Sequence, residues 1–243
     1  MPDIVARTLA RRGVAPEEAK AFLSPALRDL MPNPSILKDM DKAAERICQA
    51  VDKKEKVAIF ADYDVDGATS GALLITWLRD FGITATLYVP DRIDEGYGPN
   101  DEAMQMLATT HDLIICVDCG TLSYGPIAAV KGTDVIVLDH HMGGETLPDA
   151  FAVVNPNRQD EDTEYGYLCA AGVVFLALAA CNRIFKAANK PVPNLINALD
   201  LAALGTVADV APLIGFNRAL VRQGLAIMGA RLRPGLVALA DAA

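Results

Sequence analysis

Five short apolar runs limit what this chain can fold into more than any other feature. They are VAIFA at 57–61, TATLYV at 84–89, LIICVD at 113–118, VIVLD at 135–139 and FAVVN at 151–155. Most are continuously apolar rather than alternating, the pattern of strands buried on both faces. Helical stretches separate the first four. One covers Ala68 to Phe81, with Leu73, Leu74, Trp77 and Leu78 on one side; a second is PNDEAMQMLATT, with Pro99 near its first turn; a third is SYGPIAAVKG. Strand–helix alternation predicts the α/β class: a parallel five-stranded Rossmann-like sheet with helices on both faces. After Asn157 the pattern changes to a polar loop, RQDEDTE, and then helices from about Cys169, Asn194 and Asn217. A mostly helical C-terminal part therefore follows the sheet. The first fifty residues also read as helical, in VARTLARRG, EEAKAFL and DMDKAAERICQAVDKK, separated by MPNPS.

The longest apolar run, Leu168 to Cys181, is too short to span a bilayer and reads as a buried helix. The N-terminus has no apolar leader, and no membrane association is expected. Five cysteines, an odd number in apolar surroundings, indicate a reducing cytoplasm. Cys116 and Cys119 form a lone CxxC that ends a strand rather than opening a helix. With no second pair for zinc, these are expected to be core thiols.

The formal net charge is −9. That excludes a histone-like or basic-tail mode of nucleic-acid binding. It leaves open an enzyme whose acids are gathered in one place. In open parallel sheets ligands bind beyond the carboxyl ends of the strands, and here those ends are charged. The first strand runs into Asp62, Asp64 and Asp66, the third into Asp118, the fourth into Asp139-His140-His141 and the fifth into Asn155. Crowded carboxylates repel and desolvate one another unless protons or cations compensate. Oxygen ligands with some imidazole suit Mn²⁺ or Mg²⁺ better than zinc.

Each element also has a simpler reading. Asp62 to Gly67 fits the first half of a calcium loop, but the position that needs a bidentate Glu is Leu73. The DxD of aspartyl-phosphate phosphatases fails at Asp66. Asp62 or Asp66 alone would serve as a helix N-cap, yet caps leave His140-His141 at the same edge unexplained. His111 sits at a helix–strand junction and needs no function.

Taken together and in order, DYDVDGATS at 62–70, EGYGPN at 95–100, VDCGT at 117–121, LDHH at 138–141, VVNPN at 153–157, AAGVVF at 170–175 and LGTVADVAPLIGFNR at 204–218 resemble the DHH phosphoesterase family, in particular its bacterial single-strand DNA exonucleases. The resemblance implies a two-metal, Mn²⁺-preferring hydrolase, with Mg²⁺ as the alternative ion. It would release mononucleotides from the 5′ end of single-stranded DNA in repair and recombination. It implies Asp64, Asp66 (well placed to bridge), Asp118, His140 and Asp209 as metal ligands, with Asp62 helping to hold the second ion because Phe60 stands where the family's pyrophosphatases have a histidine. His141 and Asp139 are the catalytic candidates, His141 facing the scissile phosphate. Tyr97, Gly98, Asn155, Gly172 and Arg218 are the substrate-binding candidates, although Asn155 is equally readable as a cap and Tyr97-Gly98 as a structural turn. The later arginines, Arg222, Arg231 and Arg233, read as well as a solvated helix face.

The implied organisation is a helical segment at 1–50, a catalytic domain at 51–230 (α/β to about 160, then helical), and the start of a linker to a further domain at 231–243. In the full-length protein the implied partners are a single-strand-binding protein and a helicase. Two alternatives remain: an enzyme of the same family with a smaller substrate (a pyrophosphatase or an oligonucleotide or cyclic-dinucleotide phosphodiesterase), and a non-catalytic nucleic-acid-binding relative.

Overall fold

The computed structural model describes residues 1–243. Its strands are β1 (Val57–Ala61), β2 (Thr86–Tyr88), β3 (Leu113–Val117), β4 (Asp134–Leu138) and β5 (Ala152–Val154). All pair in parallel, in the order β2-β1-β3-β4-β5. In register, Ile59 lies beside Ile115, Ile115 beside Ile136, and Ile136 beside Ala152.

The helices are α1 (Asp3–Arg11), α2 (Ala19–Leu23), α3 (Leu27–Leu30), α4 (Met40–Lys53), α5 (Val65–Asp80), α6 (Asp101–Ala108), α7 (Tyr124–Ala129), α8 (Ala170–Ala187), α9 (Leu199–Ala208), α10 (Gly215–Gly229) and α11 (Pro234–Ala242). Side chains alternate across the sheet and feed two cores. Val57, Ile59 and Ala61 of β1, with Leu113, Ile115 and Val117 of β3, join the larger core with α4, α5, α8, α9 and α10. Ala58, Phe60, Ile114 and Cys116 join a smaller core with α6 and α7. Cover on both faces is why the central strands are apolar at every position. The edge strand β2 is the exception, with Thr86 and Leu87 exposed.

This topology positions the site. From β1 the chain crosses by α5 to β2 over the larger core, then returns by α6 to β3 over the smaller one. The direction of winding reverses between β1 and β3, which opens a crevice beyond their carboxyl ends. Asp62–Asp66 and Asp118 flank it.

Three boundaries differ from the sequence reading. Helix α5 begins at Val65 rather than Ala68, because Asp64 is its N-cap: Asp64 Oδ1 accepts the Gly67 N–H at 2.9 Å. Neither Asp62 nor Asp66 caps. Pro99 precedes α6, which is capped by Asn100 accepting from the Ala103 N–H at 2.8 Å. The helix expected from Asn194 is a 3₁₀ turn, Leu195–Ala198, running into α9. Helix α8 is long and apolar enough to cross a membrane by length and composition, but 72% of it is buried against the rest of the chain. It packs on α4, α5 and α9, with Asn182 accepting the Trp77 Nε1–H at 2.9 Å. Helix α4 packs on α8 and β5, so the first fifty residues contribute directly to the larger core.

Candidate metal centre

The segment after β1 makes a tight passage into α5. A Cβ on Gly67 would lie 2.3 Å from the Asp62 carbonyl oxygen, so only glycine fits there. That close approach brings Asp62, Asp64 and Asp66 round one turn of backbone. Asp118 follows β3 with φ +61°, a left-handed conformation that Asp tolerates better than most residues. Asp139, His140 and His141 follow β4. Asp209 arrives from the far end of α9, beyond Gly205, where a Cβ would lie 2.5 Å from Thr69 Oγ1 and 2.7 Å from Asp66 Oδ1.

These residues converge. Asp62, Asp64 and Asp118 form one group whose candidate ligand atoms lie within 4.8 Å of one another; Asp66, His140 and Asp209 form a second, and Asp118, His140 and His141 a third. Asp118 and His140 each belong to two groups. His140 Nε2 lies 3.2 Å from Asp118 Oδ1 and 3.8 Å from Asp66 Oδ2, and its Nδ1 is 3.9 Å from Asp209 Oδ2.

The electrostatics are those of an under-compensated cluster. Asp62, Asp66 and Asp118 are all but fully buried. Asp62 Oδ1 and Asp118 Oδ1 have no hydrogen-bond donor, since the His140 contact lacks hydrogen-bond alignment. Burial raises the Asp62, Asp66 and Asp209 carboxyls above the usual range. Asp118 is pushed up to about 10, by burial first and then by the charges of Asp66 and Asp64. Orphaned carboxylate oxygens in a buried cluster cost several kcal/mol unless a cation satisfies them (about 1–3 kcal/mol per group by mutational measures). An oxygen-rich set with one or two imidazoles fits Mn²⁺ or Mg²⁺.

Asp139 behaves differently. Its Oδ1 accepts from the backbone N–H of His140 (2.7 Å) and from His141 Nδ1 (2.8 Å), and its Oδ2 from the Thr121 N–H (3.0 Å). Burial alone would raise it; the His141 and Thr121 contacts outweigh burial and hold it at about 2. Its carboxylate belongs to none of the three groups; its oxygens are spent on His140, His141 and Thr121, so it holds His141 in place. The same hydrogen bond raises the His141 imidazole. His141 is half-exposed, with Tyr97 Oη 3.2 Å from its Nε2.

Of the substrate-binding candidates, Tyr97 stands at the rim: it is 55% exposed, donates to the Asp118 carbonyl at 3.2 Å and meets His141 edge-on at 5.8 Å. Gly98 is buried at φ +72°, where it turns the loop that carries Tyr97. Three candidates are corrected. Asn155 is wholly buried, with its amide committed to protein groups, so it cannot touch a substrate. Gly172 lies inside the first turn of α8, packed on Leu168. Arg218 donates from Nε to the Phe22 carbonyl at 2.7 Å and stacks on the Phe22 ring at 3.9 Å, fastening α2 to α10. The later arginines are also internally paired: Arg222 with the Leu23 carbonyl, Arg231 with Asp241, Arg233 with Asp200. Cys116 and Cys119 are buried in the smaller core, and no metal-competent group contains a cysteine.

Sequence reasoning missed Thr121, Asn157, Gly205 and the first turn of α8, whose Ala170 and Ala171 N–H groups donate to Asp66 at 2.6 and 2.9 Å. The last lies within the AAGVVF motif at 170–175, but nothing in that run of small residues marks its amides as donors to Asp66.

Comparison with known proteins assigns the chain to a family. The DHH family, N-terminal domain, matches residues 56–206. The single-stranded-DNA-specific exonuclease RecJ of Salmonella typhimurium is 38% identical over 99% of this chain and 43% of its own length. Among solved structures, exonuclease RecJ bound to manganese superposes with a TM-score of 0.76 at 37% identity, covering 88% of this chain and 53% of that one. RecJ in complex with Mn²⁺ from Thermus thermophilus gives 0.78 at 34% identity, over 98% of this chain and 33% of that one. The chain thus spans less than half the length of curated relatives such as this exonuclease.

Proposed function

Because this chain belongs to the DHH family, we propose that it is the catalytic core of a metal-dependent phosphodiester hydrolase, a 5′-to-3′ single-strand DNA exonuclease that releases mononucleotides in repair and recombination. One observation carries the reading. Three overlapping groups of carboxylates and imidazoles meet in the crevice between β1 and β3, and two of their buried oxygens have no protein donor. Relatives named as single-stranded-DNA-specific exonucleases, and solved RecJ structures with Mn²⁺ or Mg²⁺, support the choice of substrate and ion.

Asp62, Asp64 and Asp118 would hold one Mn²⁺ and Asp66, His140 and Asp209 a second, with Mg²⁺ as the alternative. Asp118 Oδ1 lies 3.2 Å from His140 Nε2, which sets the two groups side by side. Ions held there polarise a phosphodiester and make a water more acidic. The chain's own groups do the rest. Asp139 accepts the Nδ1 proton of His141, fixes the ring's orientation and favours its cationic form. His141 then presents positive charge on the open side of the site, where a scissile phosphate gains negative charge. Tyr97 supplies an aromatic face at the rim on which a base can stack.

The charge of −9 is not an obstacle, since much of the acidity is concentrated in the ion-binding crevice. Five free, buried thiols suit a reducing cytoplasm. A single-strand-binding protein and a helicase are the partners proposed for the whole protein.

The test is release of mononucleotides from a labelled single strand with Mn²⁺, comparing wild type with Asp118→Ala and His140→Ala. Loss of activity in both is expected. Undiminished activity in either variant would overturn the reading, and faster turnover of a dinucleotide or pyrophosphate than of a long strand would replace the substrate.

A further inference from the structure

Two amides next to the histidines have no role in the mechanism above. Asn155, at the end of β5, donates from Nδ2 to the main-chain oxygen of His141 at 2.8 Å and to Thr121 Oγ1 at 2.7 Å. Its Oδ1 accepts the Asn157 N–H at 2.7 Å. Asn157 Nδ2 donates to the main-chain oxygen of His140 at 2.6 Å and to that of Gly166 at 3.0 Å. The carbonyls of the two adjacent histidines are therefore held by two different amides.

The hold on His141 is double. Asn155 grips its carbonyl directly, and through Thr121 it reaches the ring: the Thr121 N–H donates to Asp139 Oδ2, and Asp139 Oδ1 accepts from His141 Nδ1. Asn155 caps no helix and has no solvent exposure. A buried amide with both donor hydrogens spent on fixed acceptors specifies geometry, and its removal strands those acceptors. Such outer partners orient the residues that touch an ion or a substrate, and their loss typically costs about 10–100-fold in affinity or activity.

We propose that Asn155 and Asn157 are positioning residues that set the two imidazoles separately: Asn157 acts on His140, a candidate ion ligand, and Asn155 acts on His141, on the substrate side. The proposal rests on the metal-dependent hydrolase reading of the same site. It makes a division of effects that general loss of structure does not. Asn155→Ala should lower kcat on a labelled strand about 10–100-fold, leaving KM within about twofold and Mn²⁺ affinity within about threefold. Asn157→Ala should weaken Mn²⁺ binding about tenfold.

A readout independent of activity is the ring ¹⁵N spectrum of the metal-free protein. The chain has three histidines, and His111 serves as internal reference. Asn155→Ala should move or broaden the His141 ring signals, Asn157→Ala those of His140, and neither those of His111. Should Asn155→Ala fail to fold, Thr121→Val removes only the hydroxyl that Asn155 engages. It should shift His141 in the same sense, with Thr121→Ser restoring it. Unmoved ring signals, or Mn²⁺ affinity and kcat falling together in both alanine variants, would overturn the proposal. A wild-type protein that hydrolyses no DNA yet shows the selective ring shifts would remove the proposed function and leave the positioning role standing.

Discussion

Asp66 and Ala170 are joined by a 2.6 Å hydrogen bond from the Ala170 N–H to the carboxylate Oδ2, and the next amide of α8 engages Oδ1. The first turn of a helix built from one half of the chain thus serves a carboxylate from the other. Its amides and partial positive charge favour the ionised form, partly offsetting a burial that raises the group. Helix α9 lies close alongside, and Gly205 is where it makes the approach.

Gly205→Ala should therefore damage the site and the fold together. The new methyl would lie 2.5–2.7 Å from Thr69 Oγ1, Ala171 Cβ and Asp66 Oδ1. Overpacking of this kind costs about 1–3 kcal/mol, read as a lower urea midpoint. The displacement of Asp66 and Asp209 should also weaken Mn²⁺ binding. An unchanged ion affinity in the folded fraction would show that α9 is not needed to place Asp209.

Ion binding should compete with protons. The Asp118 carboxyl, pushed up to about 10, keeps a proton in the folded, metal-free protein that the unfolded chain releases near 3.8. The folded state binds more protons across that window, so metal-free stability falls as pH rises through it. Mn²⁺ needs the carboxylate, so binding releases protons and tightens as pH rises. Calorimetry in buffers of different ionisation enthalpy counts them. Asp118→Asn should abolish binding while raising metal-free stability by about 1–2 kcal/mol; a less stable protein with intact affinity contradicts this account.

Arg218 should matter for the N-terminal helices and not for DNA. Arg218→Ala removes the hydrogen bond to the Phe22 carbonyl and the stack on its ring. The expected result is faster amide exchange around residues 19–24 with kcat/KM within about twofold per folded molecule, at a cost of about 1 kcal/mol. A raised KM with unchanged exchange would return Arg218 to the substrate path.

Arg46 is a comparable fastener at the amino ends of β1, β3 and β4. It is 7% exposed, and its guanidinium bonds Asp134 at 2.6 Å, Glu55 at 2.7 Å and the Asp112 carbonyl at 3.2 Å. Arg46→Met should destabilise by about 2–4 kcal/mol, toward the lower end because Asp134 is partly solvated. Mn²⁺ affinity of the folded fraction should not change, which separates this defect from that of Gly205→Ala by denaturant titration and calorimetry.

Much of the site was legible because charge at the end of an apolar run has no place in a core. Asp62, Asp64, Asp66, Asp118, His140 and His141 stood out for that reason alone. Asp209 did not; in a helical, mostly apolar stretch nothing local marks it, and only the family resemblance supplied it. The start of α5 was read three residues late because apolar spacing begins inside the helix, whereas its true start is set by one capping hydrogen bond from Asp64. Arg218 and Asn155 were misread for a common reason. Each is defined by a partner distant in sequence, Phe22 for one and Thr121 with His141 for the other. Residue type alone does not say whether a polar group faces a ligand or its own chain.

Asp209 has one more consequence. The chain emerging during synthesis carries the Asp-His-His triplet long before α9 exists, but His140 then has no Asp209 opposite and Asp66 has no α8 behind it. An ion-dependent centre assembled this way cannot be switched on piecemeal. For a protein whose proposed substrate is DNA, hydrolytic competence would arrive only with the completed tertiary structure, so an unfinished or partly unfolded copy is a harmless one.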